Sequence, residues 1–160
     1  MITLWERQAG AGAIFGVTGG VMEAALRTAV ETLEGRALEK LEFEEVRGKE
    51  GVKRAKLNIA GKEIKIAVVS GLKNAEEVME KIKNKTADFD FVEVMACPGG
   101  CILGGGQPIK SAKTRNVVDV FKKRASSLYE IDEKSKIRKS HENPYIKEVY
   151  KEFLGKPRKP

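Results

Sequence analysis

The spacing of apolar side chains divides the chain into a helical opening, a middle of period two and a helical end. Residues 9–15 and the turn Gly16-Val17-Thr18-Gly19-Gly20 lead into Val21, Ala24, Ala25, Leu26 and Ala29 at helical spacing, with Thr18 as the expected N-cap and Gly35 as the stop. From residue 41 to 70 the period falls to two. Leu41 and Phe43, then Leu57 and Ile59, then Ile64, Ile66 and Val68 alternate with mostly polar neighbours, and Ala60-Gly61-Lys62 between the later runs reads as a hairpin turn. Asn74 is placed to cap a helix over 75–85 that buries Val78, Met79 and Ile82. Residues 89–96 are strand-like again. There Phe89, Phe91, Val94 and Ala96 break strict alternation in the manner of a strand covered on both faces. A helix follows over 114–129 through Val117, Val118, Val120, Phe121 and Leu128. After a polar linker comes another over 144–154, capped by Asn143 and ended by Gly155.

Strands that flank a helix predict an α/β fold. The hairpin around Gly61 and the strand over 89–96 share one mixed sheet, helices starting near Val21, Ala75 and Thr114 pack on it, and a helical extension closes the chain. There is no internal repeat, and the only low-complexity tract is the Lys156-Pro157-Arg158-Lys159-Pro160 end, which is expected to fray.

Composition narrows the class. With 41% apolar and 33% charged residues over 160 positions, the balance is that of a globular domain with a real core. The longest apolar stretches, residues 11–17 and 64–69, fall far short of the roughly 18–20 residues of a membrane span. Residues 1–10, with Trp5, Glu6 and Arg7, lack the apolar core of a secretory signal, so a cytoplasmic protein is expected. The net charge of +7 is uneven: residues 110–160 hold 15 Lys/Arg against 7 Asp/Glu, and residues 1–109 hold 15 against 16. Aromatics are sparse in that basic third and acids interrupt it, so nucleic acid is not an expected partner.

Two places carry candidate chemistry. The glycines at the start of the first helix bring backbone N–H groups close to something. Close packing is the preferred reading over an anion cradle, and neither a Walker loop nor a dinucleotide fingerprint is present. Residues 97–108, Cys97-Pro98-Gly99-Gly100-Cys101-Ile102-Leu103-Gly104-Gly105-Gly106-Gln107-Pro108, place five glycines and both cysteines in twelve positions. Two cysteines cannot build a disulfide framework, and in a reducing compartment a close pair is a metal or redox pair or two buried thiols. Thiolates suit iron-sulfur clusters, zinc or copper, and glycines let a bulky cluster approach the backbone and accept its N–H bonds. Such sites want four ligands, and this chain has two cysteines. The one histidine, His141 beside Glu142, reads as a surface or capping residue rather than a ligand.

The full string is more specific than its spacing. Glu93, Met95, Ala96, Cys97, Gly100, Cys101, Gly104, Gly105, Gly106 and Gln107 resemble, without a gap, the third cluster motif of the FeFe-hydrogenases. Residues 12–28 resemble a stretch of the same catalytic domain that lines the cluster cavity. Ser140-His141-Glu142-Asn143-Pro144 through Tyr150, Phe153, Leu154, Gly155 and Pro157 resemble the small-subunit portion. The likeness runs from about residue 9 to 157. It implies a C-terminal lobe of the hydrogenase catalytic domain over 9–130 and a small-subunit-like helical wrap with a basic tail over 131–160.

The resemblance implies that Cys97 is a ligand of the 4Fe-4S half of the H-cluster and that Cys101 bridges it to the diiron centre. Gly100, Gly104, Gly105 and Gly106 would lie against the cluster, and Met95, Phe15 and Val21 in the apolar wall around the diiron site. The motifs that supply the other two cubane cysteines, the proton-relay cysteine and a cyanide-steadying lysine are absent from this sequence, as are ferredoxin-like domains. The chain is therefore expected to need the preceding hydrogenase lobe, to be inactive and without cluster alone, and to receive electrons from ferredoxin or another carrier when complete. With the partner lobe missing, an exposed wall favours self-association. The alternative function is an iron-sulfur assembly or electron-relay protein on the same fold. Met95 and the Gly-Gly-Gly-Gln stretch fit the catalytic branch better.

Overall fold

The structure is a computed structural model that describes residues 8–155. Most of the stretch weighed as a leader and the tail expected to fray, with Pro157, lie outside the described residues. One three-stranded sheet, in the order β1-β2-β3, organises the chain: β1 (Val52–Ile59), β2 (Lys62–Ser70) and β3 (Phe91–Met95). The first two strands are the expected hairpin, with Ile59 opposite Lys62 and Val52 opposite Val69. Ala60 and Gly61 take φ of 50° and 78°, the left-handed pair whose twist suits a two-residue turn. β2 and β3 run parallel, with Ile66 opposite Phe91 and Ser70 opposite Met95. A parallel pair needs a crossover, and α3 (Leu72–Lys83) supplies it.

β2 is the strand covered on both faces. Ile66 and Val68 pack with Met22, Leu26 and Val30 of α2 (Gly20–Glu34), while Ala67 and Val69 pack with Ala75 and Val78 of α3. Each such large side chain contributes roughly 1.5–3 kcal/mol of burial. β3 lies at the edge instead, with Phe91 and Val94 each 49% exposed, so the double cover expected for residues 89–96 belongs to the uninterrupted run of β2. Leu41 and Phe43 form no strand. They lead into a 3-10 turn, Glu44–Val46, and Phe43 packs against the α2 cluster.

Other expectations shift at helix ends. The N-cap of α2 is Gly19 and not Thr18, and Gly35 at φ 66° ends the helix as expected. Asn74 caps nothing: α3 begins after Gly71, and the Asn74 amide donates to the Ser70 carbonyl at 2.6 Å. Val78 is buried, but Met79 and Ile82 are exposed, because the small sheet presents only a narrow face to α3. The helix expected over 114–129 is two, α4 (Ala112–Val117) and α5 (Val120–Lys134), broken where the Asp119 carboxylate accepts from the Lys122 amide and starts a new helix. α5 does not join the two sheet-based clusters; Ala125, Phe121, Leu128 and Tyr129 form a third with Val17 and Ile102. The end behaves as expected: Asn143 caps α6 (Pro144–Val149), a π turn over Tyr150–Leu154 extends it, and Gly155 stops it at φ 69°.

A buried ion network ties these parts together. α1 (Gly10–Ala13) donates from Gly10 and Ala11 to the carbonyls of Ile137 and Arg138. Beneath it Arg27 of α2 reaches Asp132 of α5 with both terminal nitrogens at 2.8 Å, Glu23 at 2.9 Å, and the carbonyls of Leu41 and Arg138. Arg47 then grips Glu23 through two bonds of 2.8 and 2.7 Å and lies 4.0 Å over the Tyr129 ring. Burial alone would raise the Asp132 carboxyl, but the Arg27 and Arg138 guanidiniums outweigh it and hold the group below the usual carboxylate range. A depressed folded pKa gives stability that is complete above the unfolded value and disappears as pH falls through the folded one. Arg27→Met should cost about 3 kcal/mol in urea unfolding near neutral pH, because it removes the central partner of two buried carboxylates and leaves Glu23 to Arg47 and Asp132 to Arg138. Asp132→Asn should flatten the loss of stability that the parent chain shows as pH falls below the ordinary aspartate range, and equal acid sensitivity in both would disprove the assignment.

Candidate functional site

β3 delivers Met95 to the end of the sheet, and the chain turns at once through Cys97-Pro98-Gly99-Gly100 into a 3-10 turn, Cys101–Leu103. Both thiols are free and exposed. Gly100, at φ 95°, has no room for a side chain: a Cβ there would lie 2.6 Å from the Gly16 carbonyl oxygen, 2.8 Å from the Thr18 amide and 2.9 Å from the Met95 sulfur. The loop backbone thus sits directly against the turn that precedes α2.

Three anchors hold the loop from inside. Buried Ser70, the last residue of β2, accepts from the Gly99 amide at 2.7 Å and reaches the Cys97 carbonyl at 3.5 Å. Thr18 donates its amide to the Gly99 carbonyl at 3.3 Å. Arg124 of α5 brackets the glycine stretch, donating to the carbonyls of Ile102 at 2.7 Å and Pro108 at 2.8 Å. Ile102 is buried against Val17 and Ala125, so the cysteines ride on the outer side of a turn that is tied within.

The turn before α2 is both of the things weighed for it. A Cβ on Gly20 would fall 1.8 Å from the Ile14 carbonyl oxygen, which is close packing. The turn also cradles an anion, an internal one: the buried Glu93 carboxylate accepts from the Gly19 amide at 2.7 Å and the Met22 amide at 2.6 Å. A carboxylate at a helix N-terminus satisfies open amides and faces the positive end of the dipole.

Of the wall residues, Met95 is half-buried beside Gly100, while Phe15 and Val21, on either side of the Gly16–Gly20 turn in sequence, are 44% and 37% exposed. Gly104 is half-buried. Gly105 and Gly106 are exposed with open space where side chains would stand. Leu103, Gly104, Gly105, Pro108, Val118 and Phe121 border a groove of about 940 Å³ beside the loop. His141 is away from the cysteines and is no cap; its ring nitrogens bond Thr28 and Glu31 of α2, each at 3.0 Å. Among the described residues Glu31, His141 and Glu142 could converge on a cation, but the Lys139 ammonium already bridges Glu31 and Glu142 at 2.9 and 2.6 Å. Sequence reasoning missed Ser70 and Arg124, and it saw Glu93 only as a motif letter. Ser70, a polar residue ending a buried apolar run, was the one available signal.

The fold and loop define an α/β lobe that presents two thiols at the carboxyl end of a parallel strand, a donor pair suited to an iron-sulfur centre. The chain belongs to the iron-only hydrogenase large-subunit family: the model of its C-terminal domain matches residues 3–105, and the iron hydrogenase small-subunit model matches residues 118–160. It is 53% identical over 148 residues to the NADP-reducing hydrogenase subunit HndD of Solidesulfovibrio fructosivorans, covering 92% of this chain and 24% of that protein. Iron hydrogenase 1 of Clostridium pasteurianum is 47% identical over 148 residues, covering 92% of this chain and 26% of that one. The chain therefore spans about a quarter of the length of these curated relatives. A variant of the FeFe-hydrogenase HydA1 from Chlamydomonas reinhardtii superposes with a TM-score of 0.65 at 39% identity, over 89% of this chain and 42% of that one. Protein NAR1 of Arabidopsis thaliana is 29% identical, covering 90% of this chain and 30% of that protein, and several cytosolic Fe-S cluster assembly factors show similar likeness. Among the described residues no helix is long and apolar enough to cross a membrane.

Two outcomes test this geometry. Both cysteines should alkylate in the folded chain at the rate of exposed thiols, read by mass spectrometry, without denaturant. Gly100→Ala should lower stability by about 2 kcal/mol or more, since it combines a left-handed φ with two backbone collisions. A neutral Gly100→Ala would mean that the loop does not rest on Gly16 and Thr18.

Proposed function

We propose that the chain supplies half of the thiolate set of a hydrogenase H-cluster. Cys97 holds the 4Fe-4S part, and Cys101 bridges it to the diiron centre. Met95, Phe15 and Val21 form the apolar wall, and Gly100, Gly104, Gly105 and Gly106 keep the backbone open to the cluster. In this reading the lobe occupies 9–130 and the small-subunit-like wrap 131–160. One observation carries it: the unbroken string from Glu93 to Gln107 places its two free, exposed cysteines on a tied loop beyond a parallel strand. The donor chemistry fits, since two soft thiolates in a glycine-rich setting are one half of a four-thiolate site.

When bound, the cluster interconverts protons, electrons and H2. The chain's own residues have humbler tasks. Ser70, Thr18 and Arg124 fix the loop, its glycines admit a large group, and Met95 with Phe15 and Val21 keeps water from one side. The preceding hydrogenase lobe provides the remaining thiolates, ferredoxin or another carrier provides electrons, and the cytoplasm keeps both cysteines reduced. The exposure of Phe15 and Val21 supports self-association of the isolated lobe. The likeness to NAR1 and the assembly factors supports the alternative, a non-hydrogenase iron-sulfur protein, but at 29% identity against 53% for the hydrogenase subunit it is the weaker reading.

The chain purified with iron and sulfide should evolve no H2 and retain no 4Fe-4S cluster. Co-produced with a hydrogenase lobe bearing the other two cubane cysteines and with cluster maturation, it should yield an active enzyme. In that enzyme Cys101→Ala should abolish turnover and Cys97→Ala should chiefly release cubane iron. Substantial H2 from the chain alone, or a comparable rate in Cys101→Ala, would overturn the proposal.

A further inference from the structure

We infer that Glu93 is a positioning residue that joins the cysteine loop and the cavity wall into one rigid piece. Its geometry is independent of the cluster reading; only its purpose rests on that reading. Glu93 opens the motif four residues before Cys97, yet it is no ligand and nothing in the cluster chemistry requires a carboxylate there. Its side chain leaves β3 on the α2 side and is buried, with one oxygen on the Gly19 amide and the other on the Met22 amide, 74 and 71 residues away in sequence.

Those amides have no local partner to take Glu93's place. The N-cap of α2 is a glycine without a side-chain acceptor, and the left-handed φ of 93° at Gly19, with a Cβ position 1.9 Å from the Val46 carbonyl oxygen, forbids a capping side chain there. The cap therefore has to come from another element, and it comes from the strand that carries Met95 and Cys97. Two further contacts close the circle: the Thr18 amide on the Gly99 carbonyl, and Gly100 seated against Gly16 and Thr18. From Glu93 the chain runs through Met95 and Cys97 to Gly99, crosses to Thr18 and returns through Gly19 to Glu93. Val21 lies one residue before Met22 and Phe15 lies just ahead of Gly16, so both wall residues flank this ring. A buried lysine, Lys53 of β1, places positive charge near the same carboxylate. Rigidity of this kind is what a site needs if a large cofactor is to meet preplaced ligands and a preplaced wall.

The test uses the full chain and amide hydrogen exchange. In Glu93→Gln the side chain keeps one acceptor, and in Glu93→Ala it keeps none. Exchange at Gly19 and Met22, and at the loop amides of Gly100, Leu103 and Gly104, should accelerate by about tenfold in the Gln variant and further in the Ala variant, while the β1–β2 ladder amides change far less. Equal acceleration of the ladder and loop amides would reduce Glu93 to bulk stability and overturn the inference, as would unchanged loop amides. Should both variants fail to fold, the parent chain answers: across a urea series the same five amides should share one opening free energy, below that of the ladder, and unrelated values would overturn it. In the assembled hydrogenase Glu93→Gln should keep its iron but broaden the cubane's paramagnetic resonance lines, and an unaltered spectrum would break the link to the cluster. If no hydrogenase assembles from the unmodified chain, the proposed function fails while the exchange results still decide the clamp.

Discussion

The Arg27 guanidinium holds the molecule's parts in register. A guanidinium has five N–H donors, and the bonds to Leu41, Asp132, Arg138 and Glu23 use all of them. They join four separate stretches of chain: α2, the segment before the hairpin, the end of α5 and the segment after α5 that receives α1. Apolar packing could bury the same surfaces more cheaply, because desolvating so many charges offsets much of their mutual attraction. A saturated guanidinium instead permits one arrangement, since any sliding of α5 along α2 would leave a donor or a carboxylate buried without a partner. Gly10 obeys the same constraint, for a Cβ there would strike Asp132.

That fixed arrangement decides where the cysteine loop can be. In open α/β sheets the usable crevice lies beyond the carboxyl ends of parallel strands. Here β2 ends in Ser70 and β3 ends in Met95, side by side, and Ser70 reaches across to hold the Gly99 amide. α5, placed by its Asp132 end, presents Arg124 to the other side of the loop. The loop is thus fixed by elements from the start, middle and end of the chain, while its thiols stay open.

Openness is the complement of that order. The β3 edge, Phe15, Val21 and Leu103 leave apolar surface around the loop uncovered, whereas the two sheet-based clusters behind it are closed. A lobe built this way is well ordered where it holds the cysteines and open on the apolar surface around them.

Much of this was legible in the sequence. The hairpin at Gly61, the first helix ending at Gly35 and the Asn143-capped end follow from local period and turn chemistry, and the string from Glu93 to Gln107 names its own family. These features depend on neighbours a few residues apart, and spacing records such neighbours. Other features depended on partners far along the chain. Which strand is covered twice was settled by sheet order: the mixed run at 91–95 fell at the edge and the continuous run of β2 at the centre. Thr18 looks like a cap locally, but Glu93 decided that site from outside, whereas Asn74 is drawn back to the Ser70 carbonyl only four residues earlier. Local pattern determined most of the elements and the two thiols. The tertiary structure alone decided what holds them, because a carboxylate that caps a helix 74 residues away leaves no trace in the spacing of either segment.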